Sequence, residues 1–360
     1  MSRLHLSRPR LSVFLRALPI ACTIFALAAA PASASERLEL LGDDPGLKHL
    51  GAEIERLAEA SLGTVGVAAI HLESGRGVLL NADDQFPMAS TYKVPIAVEI
   101  LAQVDEGKRS LDDLITMQTS DHVATYGVLS DFFDTPGSRL TIQNVLGLML
   151  RISDNIATDL LFREAGGAEA ITGRMKAFGA EGIRVDRTTR ALIANWLGRD
   201  DATVASPMPP AEYNRLILEG NSSQLDDARL AELNETFNAD PRDTATPRSM
   251  AALLRKIWKR EILSEKSSAL LIDIMARCQT GENRIPGALP PGTPVAHKTG
   301  TIGESTNDVG VITLPGDAGH VISVVFVKES RLPSNAAMEP VIAEIARASY
   351  DYFVFNRGTS

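Results

Sequence analysis

The chain has 360 residues, with 36 lysines and arginines against 45 aspartates and glutamates, for a formal charge of −9. That acidity argues against nucleic acid or an anionic membrane surface as a partner. The six histidines (His5, His49, His71, His122, His297, His320) are scattered without metal-ligand spacing, so neither a metal nor another cofactor is expected. Arg3, Arg8, Arg10 and Arg16 precede an apolar run from Ala17 to Ala30, and Ala32-Ser33-Ala34 has the small-x-small pattern of a signal-peptidase site. The run of 14 residues is short for a bilayer span, and Pro19-Ile20-Ala21 before Cys22 is a poor lipobox. Residues 1–34 therefore read as a signal peptide. Its removal takes four arginines and no acid, so the charge moves from −9 to −13. It also takes Cys22, leaving Cys278 with no partner for an intrachain disulfide. The expected product is periplasmic or secreted, without a membrane anchor, and a monomer.

Leu47 to Leu62 has helical periodicity, with Leu50, Ile54, Leu57, Ala58 and Leu62 on one stripe. Thr64 to Leu72 and Arg76 to Asn81 read as two strands joined by a turn at Ser74-Gly75. From Ser90 to about Cys278 the periodic segments are helical, among them Thr141 to Leu150, Ala157 to Ala165, Thr246 to Lys259 and Ser264 to Arg277. Strand patterns return at Val295–Thr299, Asp308–Leu314 and Val321–Lys328, before a last amphipathic helix from about Met338 to Phe353. Strands at both ends with helices between imply an α/β (α+β) fold, one sheet built from both termini with a helical domain inserted. The expected boundaries are 35–85 with 290–360 for the α/β domain and 86–289 for the helical one. Within the latter, the polar stretch at about 193–237, interrupted by Pro207, Pro209 and Pro210, reads as an insertion.

Three short stretches carry chemistry. Ser90 and Lys93 are three apart at the start of the apolar helical run Val94 to Val104, which stacks them on one face. A lysine with a lowered pKa can take the proton of such a serine, and a helix N-terminus favours a developing oxyanion. The bland reading is an N-cap serine beside a solvated lysine. Ser153-Asp154-Asn155 precedes a second helix, where an ordinary N-cap is the plain alternative to a proton-passing serine and an amide-binding asparagine. Lys298-Thr299-Gly300 lies on a strand, either as a strand-end lysine beside a glycine or as a carboxylate-binding pair where backbone approaches a ligand closely.

The ordered set of the three, on an exported chain, resembles class A β-lactamases and penicillin-binding proteins, and the likeness to class A β-lactamases covers nearly all the mature chain. Phe86-Pro87-Met88-Ala89 and the run from Asp240 to Pro247 extend it. The resemblance implies a five-stranded antiparallel sheet flanked by helices plus an all-helical domain, and an enzyme that opens a β-lactam amide through an acyl-serine. It implies Ser90 as nucleophile, Lys93 as its activating partner and Ser153 as proton relay. Asn155, Lys298 and Thr299 become substrate-binding, and the amides of Ser90 and Thr301 an oxyanion hole. Where many relatives carry a carboxylate-binding arginine this chain has Asn307. Arg284 stands where a subset of relatives places one, with a surface loop arginine as the bland alternative.

The Ω loop departs further. Counting from Ser153, Arg187 matches the loop arginine that pairs with an aspartate, here Asp243, while Thr189 takes the place of the glutamate that activates the deacylating water. A rival count back from Asp243 puts Leu230 there, again not an acid. Glu232 or Glu235 would then have to fold over Ser90 to substitute. A threonine cannot serve as general base near neutral pH, so slow deacylation is expected. The competing readings are a penicillin-binding or D-alanyl-D-alanine peptidase, an acyl-trapping sensor, and a related serine esterase.

Overall fold

The computed structural model describes residues 37–123, 125–133, 135–200, 210–219 and 225–356. The leader expected at 1–34, and Pro207 and Pro209, lie outside these residues. The chain opens with β1 (Leu38–Leu41), α1 (Pro45–Glu59), β2 (Thr64–His71) and β3 (Gly77–Leu80). Asp44 caps α1 by accepting from Gly46 N at 2.8 Å, and Pro45 occupies the first turn, where no amide is needed. The β2–β3 turn at Ser74-Gly75 uses the left-handed conformation of Gly75, φ +72°. Next come β4 (Phe86–Pro87), a 3-10 turn at Ala89–Tyr92, and α2 (Lys93–Asp105).

A ribbon of β5 (Leu114–Thr116) and β6 (Arg139–Thr141) brackets the short α3 (Val128–Phe132). Helices α4 (Ile142–Arg151), α5 (Asn155–Glu164), α6 (Gly167–Ala177), α7 (Thr189–Trp196), α8 (Pro210–Glu219) and α9 (Asp227–Asn238) follow. Then β7 (Thr244–Ala245), which pairs with β4, leads to α10 (Pro247–Trp258) and α11 (Glu265–Ala276). The chain closes with β8 (Val295–Ile302), β9 (Ser305–Thr313), β10 (His320–Lys328) and α12 (Asn335–Phe355).

The main sheet is antiparallel in the order β1-β3-β2-β10-β9-β8, so both chain ends build it. It has six strands rather than the expected five. The addition is β1, four residues whose Leu-Glu-Leu-Leu pattern is too short to display alternation and whose pairing with β3 runs from Leu38–Leu80 to Leu41–Gly77. Helices cover both faces, which is why strands such as β10 are apolar almost throughout. On one face Val65, Val67 and Val325 pack with Ile54 of α1 and Ile342 of α12. On the other, Val309, Val324 and Phe326 join the core that surrounds α2. Val94, Ile96, Ala97, Val98, Ile100 and Leu101 of α2 are all 0% exposed. A helix apolar all round is a core helix, so the segment carrying Ser90 is anchored in the middle of the protein. Pro95 falls in its first turn.

The polar stretch at 193–237 is not all peripheral. Tyr213, Leu233 and Phe237 are buried, and Phe237 clusters with Leu192, Ile302 and Ala89, the neighbour of Ser90. Its inward apolar positions are too sparse to show as a periodic stripe. No helix among the described residues is long and apolar enough to cross a membrane.

Candidate active site

Ser90 sits in the 3-10 turn before α2, beside a cavity of about 310 Å³ whose lining includes Ser153, Asn155, Arg284, Thr299 and Thr301. The turn is held from several sides. Ala89 has φ +47°, a costly conformation for alanine. Met88 N donates to Asp243 O at 3.0 Å, and Asn307 Nδ2 donates to Pro87 O at 2.8 Å and Met88 O at 3.1 Å. A Cβ on Gly300 would lie 2.5 Å from Met88 O and 3.1 Å from Ser90 N. The close approach that glycine permits is therefore strand β8 against the turn that carries Ser90.

Two buried lysines meet at one hydroxyl. Lys93 Nζ donates to Ser153 Oγ at 3.0 Å, to Ser153 O at 2.7 Å and to Asn155 Oδ1 at 2.9 Å. Lys298 Nζ reaches the same Ser153 Oγ at 3.0 Å. Both side chains are 0% exposed. Burial, with the charge of Lys298 next, holds Lys93 well below the ordinary lysine range. Burial brings Lys298 down to about 8, against the opposing charges of Cys278 and Asp308. Ser153 itself has φ +61°, which turns its hydroxyl between the two amines. Asp154 is the plain helix cap of the trio, accepting from Ala157 N and Leu129 N at 2.8 Å each.

Arg284 is not a surface loop residue. It is 6% exposed, with Nε on Glu339 Oε1 (3.1 Å), Nη1 on Gly300 O (3.1 Å) and Asn307 O (2.9 Å), and Nη2 on Thr301 Oγ1 (2.7 Å). Asn307, 0% exposed, also accepts from Val327 N at 3.1 Å, so its amide is spent on pinning the nucleophile turn to the sheet.

In the Ω loop Arg187 Nε meets Asp243 Oδ2 at 2.6 Å, and the other oxygen of Asp243 accepts from the amides of Asp186 and Arg187. Thr189 is buried below the nucleophile segment, its Oγ1 2.6 Å from Tyr92 Oη. Its amide donates to Asp159 Oδ1 at 2.6 Å, and Arg190 N to Asp159 Oδ2 at 3.2 Å. Burial pushes Asp159 up to about 6 despite these donors. Leu230 instead lines a separate cavity with Trp196 and Asn335. Glu232 and Glu235 do not fold over Ser90. They lie on the exposed face of α9, where Glu232 pairs with Arg229 at 2.6 Å. The helix turns its apolar Leu233 and Phe237 inward instead, together with Asn234, whose Oδ1 accepts from Trp196 Nε1 at 2.9 Å.

Reading by motif missed two threonines bonded to site residues, Thr125 and Thr280. Thr125 Oγ1 accepts from Asn155 Nδ2 at 2.9 Å, and the hydroxyls of Thr280 and Thr299 lie 2.6 Å apart. Neither threonine sits in a recognisable pattern, since each comes from a loop far from the motifs in sequence. Asp159 did carry a signal, being four residues beyond Asn155 on the same helical face.

Residues 49–353 match the model of a family described as the β-lactamase enzyme family. The β-lactamase VEB-1 of Pseudomonas aeruginosa is 30% identical over 316 residues, 85% of this chain and 91% of that protein. The extended-spectrum β-lactamase TLA-3 superposes with a TM-score of 0.69 at 28% identity, covering 86% of this chain and 100% of that one. An ancestral class A β-lactamase gives 0.67 at 31% identity, covering 84% and 99%.

Proposed function

The chain belongs to the β-lactamase enzyme family as a class A-type serine hydrolase, and we propose that it opens β-lactam amides through an acyl-serine at Ser90. The observation that carries the assignment of roles is the Ser153 hydroxyl, 3.0 Å from both Lys93 Nζ and Lys298 Nζ. Lys93, whose charged form is disfavoured by burial and by the charge of Lys298, takes the Ser90 proton as the serine oxygen attacks the lactam carbonyl. The amides of Ser90 and Thr301 receive the oxyanion. Ser153 passes its proton to the departing lactam nitrogen and is reprotonated from Lys93, so the ring C–N bond breaks and the acyl-serine remains. Lys298, Thr299 and Arg284 hold the substrate carboxylate, and Asn155 its side-chain amide. Arg187 and Asp243 brace the Ω loop.

Water must then attack the ester, and the register counted from Ser153 assigns the place of the usual base to Thr189, whose hydroxyl is bonded to Tyr92. That observation favours slow deacylation, with acyl-trapping as the second reading. Export to the periplasm, release from the membrane and a monomeric state complete the proposal. Mixing the protein with benzylpenicillin and weighing it intact tests the chemistry. The full drug mass should appear on a peptide containing Ser90 and be absent from Ser90→Ala; an adduct elsewhere overturns the assignment. Repeated release of ring-opened drug marks a hydrolase, a single equivalent a trap, and cleavage of D-alanyl peptides a peptidase.

A further inference from the structure

A second cavity, of about 490 Å³, opens between α4 and α11. Its walls include Phe133, Leu140, Leu148, Ile152, Leu270 and Ile274, and all of these but Ile274 remain partly exposed. The exposed amide side chains of Gln143, Asn144 and Gln279 stand at its rim. The chain carries 45 acids against 36 lysines and arginines, yet among the described residues two arginines and no acid line this cavity. One of them, Arg277, is paired with Asp273. The other, Arg151, ends α4 and is left uncompensated. No carboxylate pairs with it among the described residues, and its Nε is buried without a hydrogen-bond partner. A buried charged donor in that state is costly until an acceptor arrives. Gly147 is an independent observation. It lies inside α4 one turn before Arg151, on the same face, where glycine weakens a helix relative to alanine. A Cβ on it would meet nothing within 4 Å beyond the helix's own backbone. No close packing requires glycine there, and its missing side chain leaves the groove open.

We propose that this groove binds a medium-chain aliphatic carboxylate, with the carboxylate on Arg151 and the chain lying between α4 and α11 over Gly147. The guanidinium fork matches a carboxylate through paired N–H bonds, and Nε supplies the donor that lacks an acceptor. The walls offer no partner for polar groups along the ligand, whose burial there would be penalised, so the remainder of the ligand is hydrocarbon. The volume suits a small molecule. The groove shares no lining residue with the cavity that holds Ser90, so this inference goes beyond the β-lactam reading and does not depend on it. The two are neighbours all the same. Ile152 precedes Ser153, and Gln279, whose amide donates to Arg151 O at 2.8 Å, precedes Thr280.

Decanoate and octanoate, each below its micelle threshold, are the probes, with binding read by isothermal titration calorimetry. Binding should saturate at one molecule per chain. Decanoate should bind roughly tenfold more tightly than octanoate, because its longer chain removes more methylene surface from water. Decyltrimethylammonium, with the same tail and the opposite charge, should bind at least roughly tenfold more weakly than decanoate. Arg151→Met keeps an unbranched apolar side chain without the charge, and should weaken decanoate by roughly 10–150-fold, the loss of one charge-assisted hydrogen bond. Gly147→Leu should fill the groove and abolish binding. Circular-dichroism melts establish that each variant is folded, and should Gly147→Leu not fold, Arg151→Met decides alone. Absence of saturable binding, equal affinity for octanoate or for the cation, or parental affinity in either folded variant overturns the proposal.

Discussion

The hydroxyls of Tyr92 and Thr189 lie 2.6 Å apart, at 1% and 6% exposure, directly behind the nucleophile turn. Burial, and then the nearby Asp159, push the Tyr92 phenol well above its usual value, so it stays protonated. A neutral phenol bonded to an alcohol can orient a water but cannot take its proton near neutral pH. On the proposed reading Ser153 and its two lysines serve acylation, and Thr189, counted into the place of the deacylating base, offers no carboxylate of its own.

Lys93 is the first residue to test. Lys93→Ala should slow acylation by benzylpenicillin by about 10²–10⁴-fold, the usual cost of losing a positioned base. It also removes the donor to Ser153 and Asn155, so a circular-dichroism melt must accompany the rate. An intact variant that acylates at the parent rate would take Lys93 out of the mechanism.

Lys298 titrates near 8 because burial disfavours its charged form. Below that value it carries the cation that attracts a carboxylate, and above it the cation is lost. For carboxylate-bearing substrates kcat/KM should fall as pH rises through about 8, by roughly 10–150-fold at the limit. The same substrate with its carboxylate esterified should lack this limb. A fall of equal size for both would assign the titration to another group.

Arg284 has two attachments of different kinds. Its bonds to Gly300 O, Asn307 O and Glu339 are structural, while it also lines the cavity beside Ser90, where the proposed carboxylate contact would be made. Arg284→Ala should lower the melting temperature and slow all substrates. Carboxylate-bearing ones should lose about 10–150-fold more than their esters. Equal losses would make the role purely structural.

Asn307 offers a test without substrate contact. Asn307→Ala leaves Pro87 O, Met88 O and Val327 N without its amide inside the core, at a cost of about 3 kcal/mol. The denaturation midpoint should drop and Ser90 acylation should slow with it. An unchanged midpoint would mean that water or a neighbour takes over these groups.

Most of the fold was legible because its elements announce themselves. Helix α1 has an apolar stripe and a capping aspartate, and β10 a long apolar run. The four-residue β1 and the two-residue pair β4–β7 were not, because they exist only through their partners. Ser90, Lys93, Ser153 and Lys298 stood out through the resemblance that their ordered motifs carry, since the spacing of each motif alone also fits an ordinary cap or strand end. What spacing could not give was that Asn307 faces backbone rather than substrate, or that Glu232 and Glu235 face solvent. Those depend on which side of an element is covered: Asn307 by the turn at Pro87-Met88, and α9 by its few buried residues, which make no periodic pattern.

Thr189 carries the sharpest prediction. Reaction with benzylpenicillin should show a burst of one equivalent followed by slow turnover, since loss of a general base costs about 10²–10⁴ in rate. Thr189→Glu should then speed deacylation and leave acylation nearly unchanged. The position favours an acid in one respect, since it is the first residue of α7 after the Thr188 cap, where the helix dipole stabilises negative charge. It disfavours one in another. Asp159 accepts the amide of this very residue at 2.6 Å and already sits near 6, so a second carboxylate beside it raises the pKa of both. The gain in deacylation should therefore appear only as pH rises far enough to ionise the introduced carboxylate. Acyl-enzyme lifetimes read by mass spectrometry from pH 5 to 8 measure this. Fast turnover in the parent without a burst would reveal another base, with Asp159→Asn as the next variant. A folded Thr189→Glu protein no faster than the parent at pH 8 would mean that a carboxylate here does not reach the deacylating water.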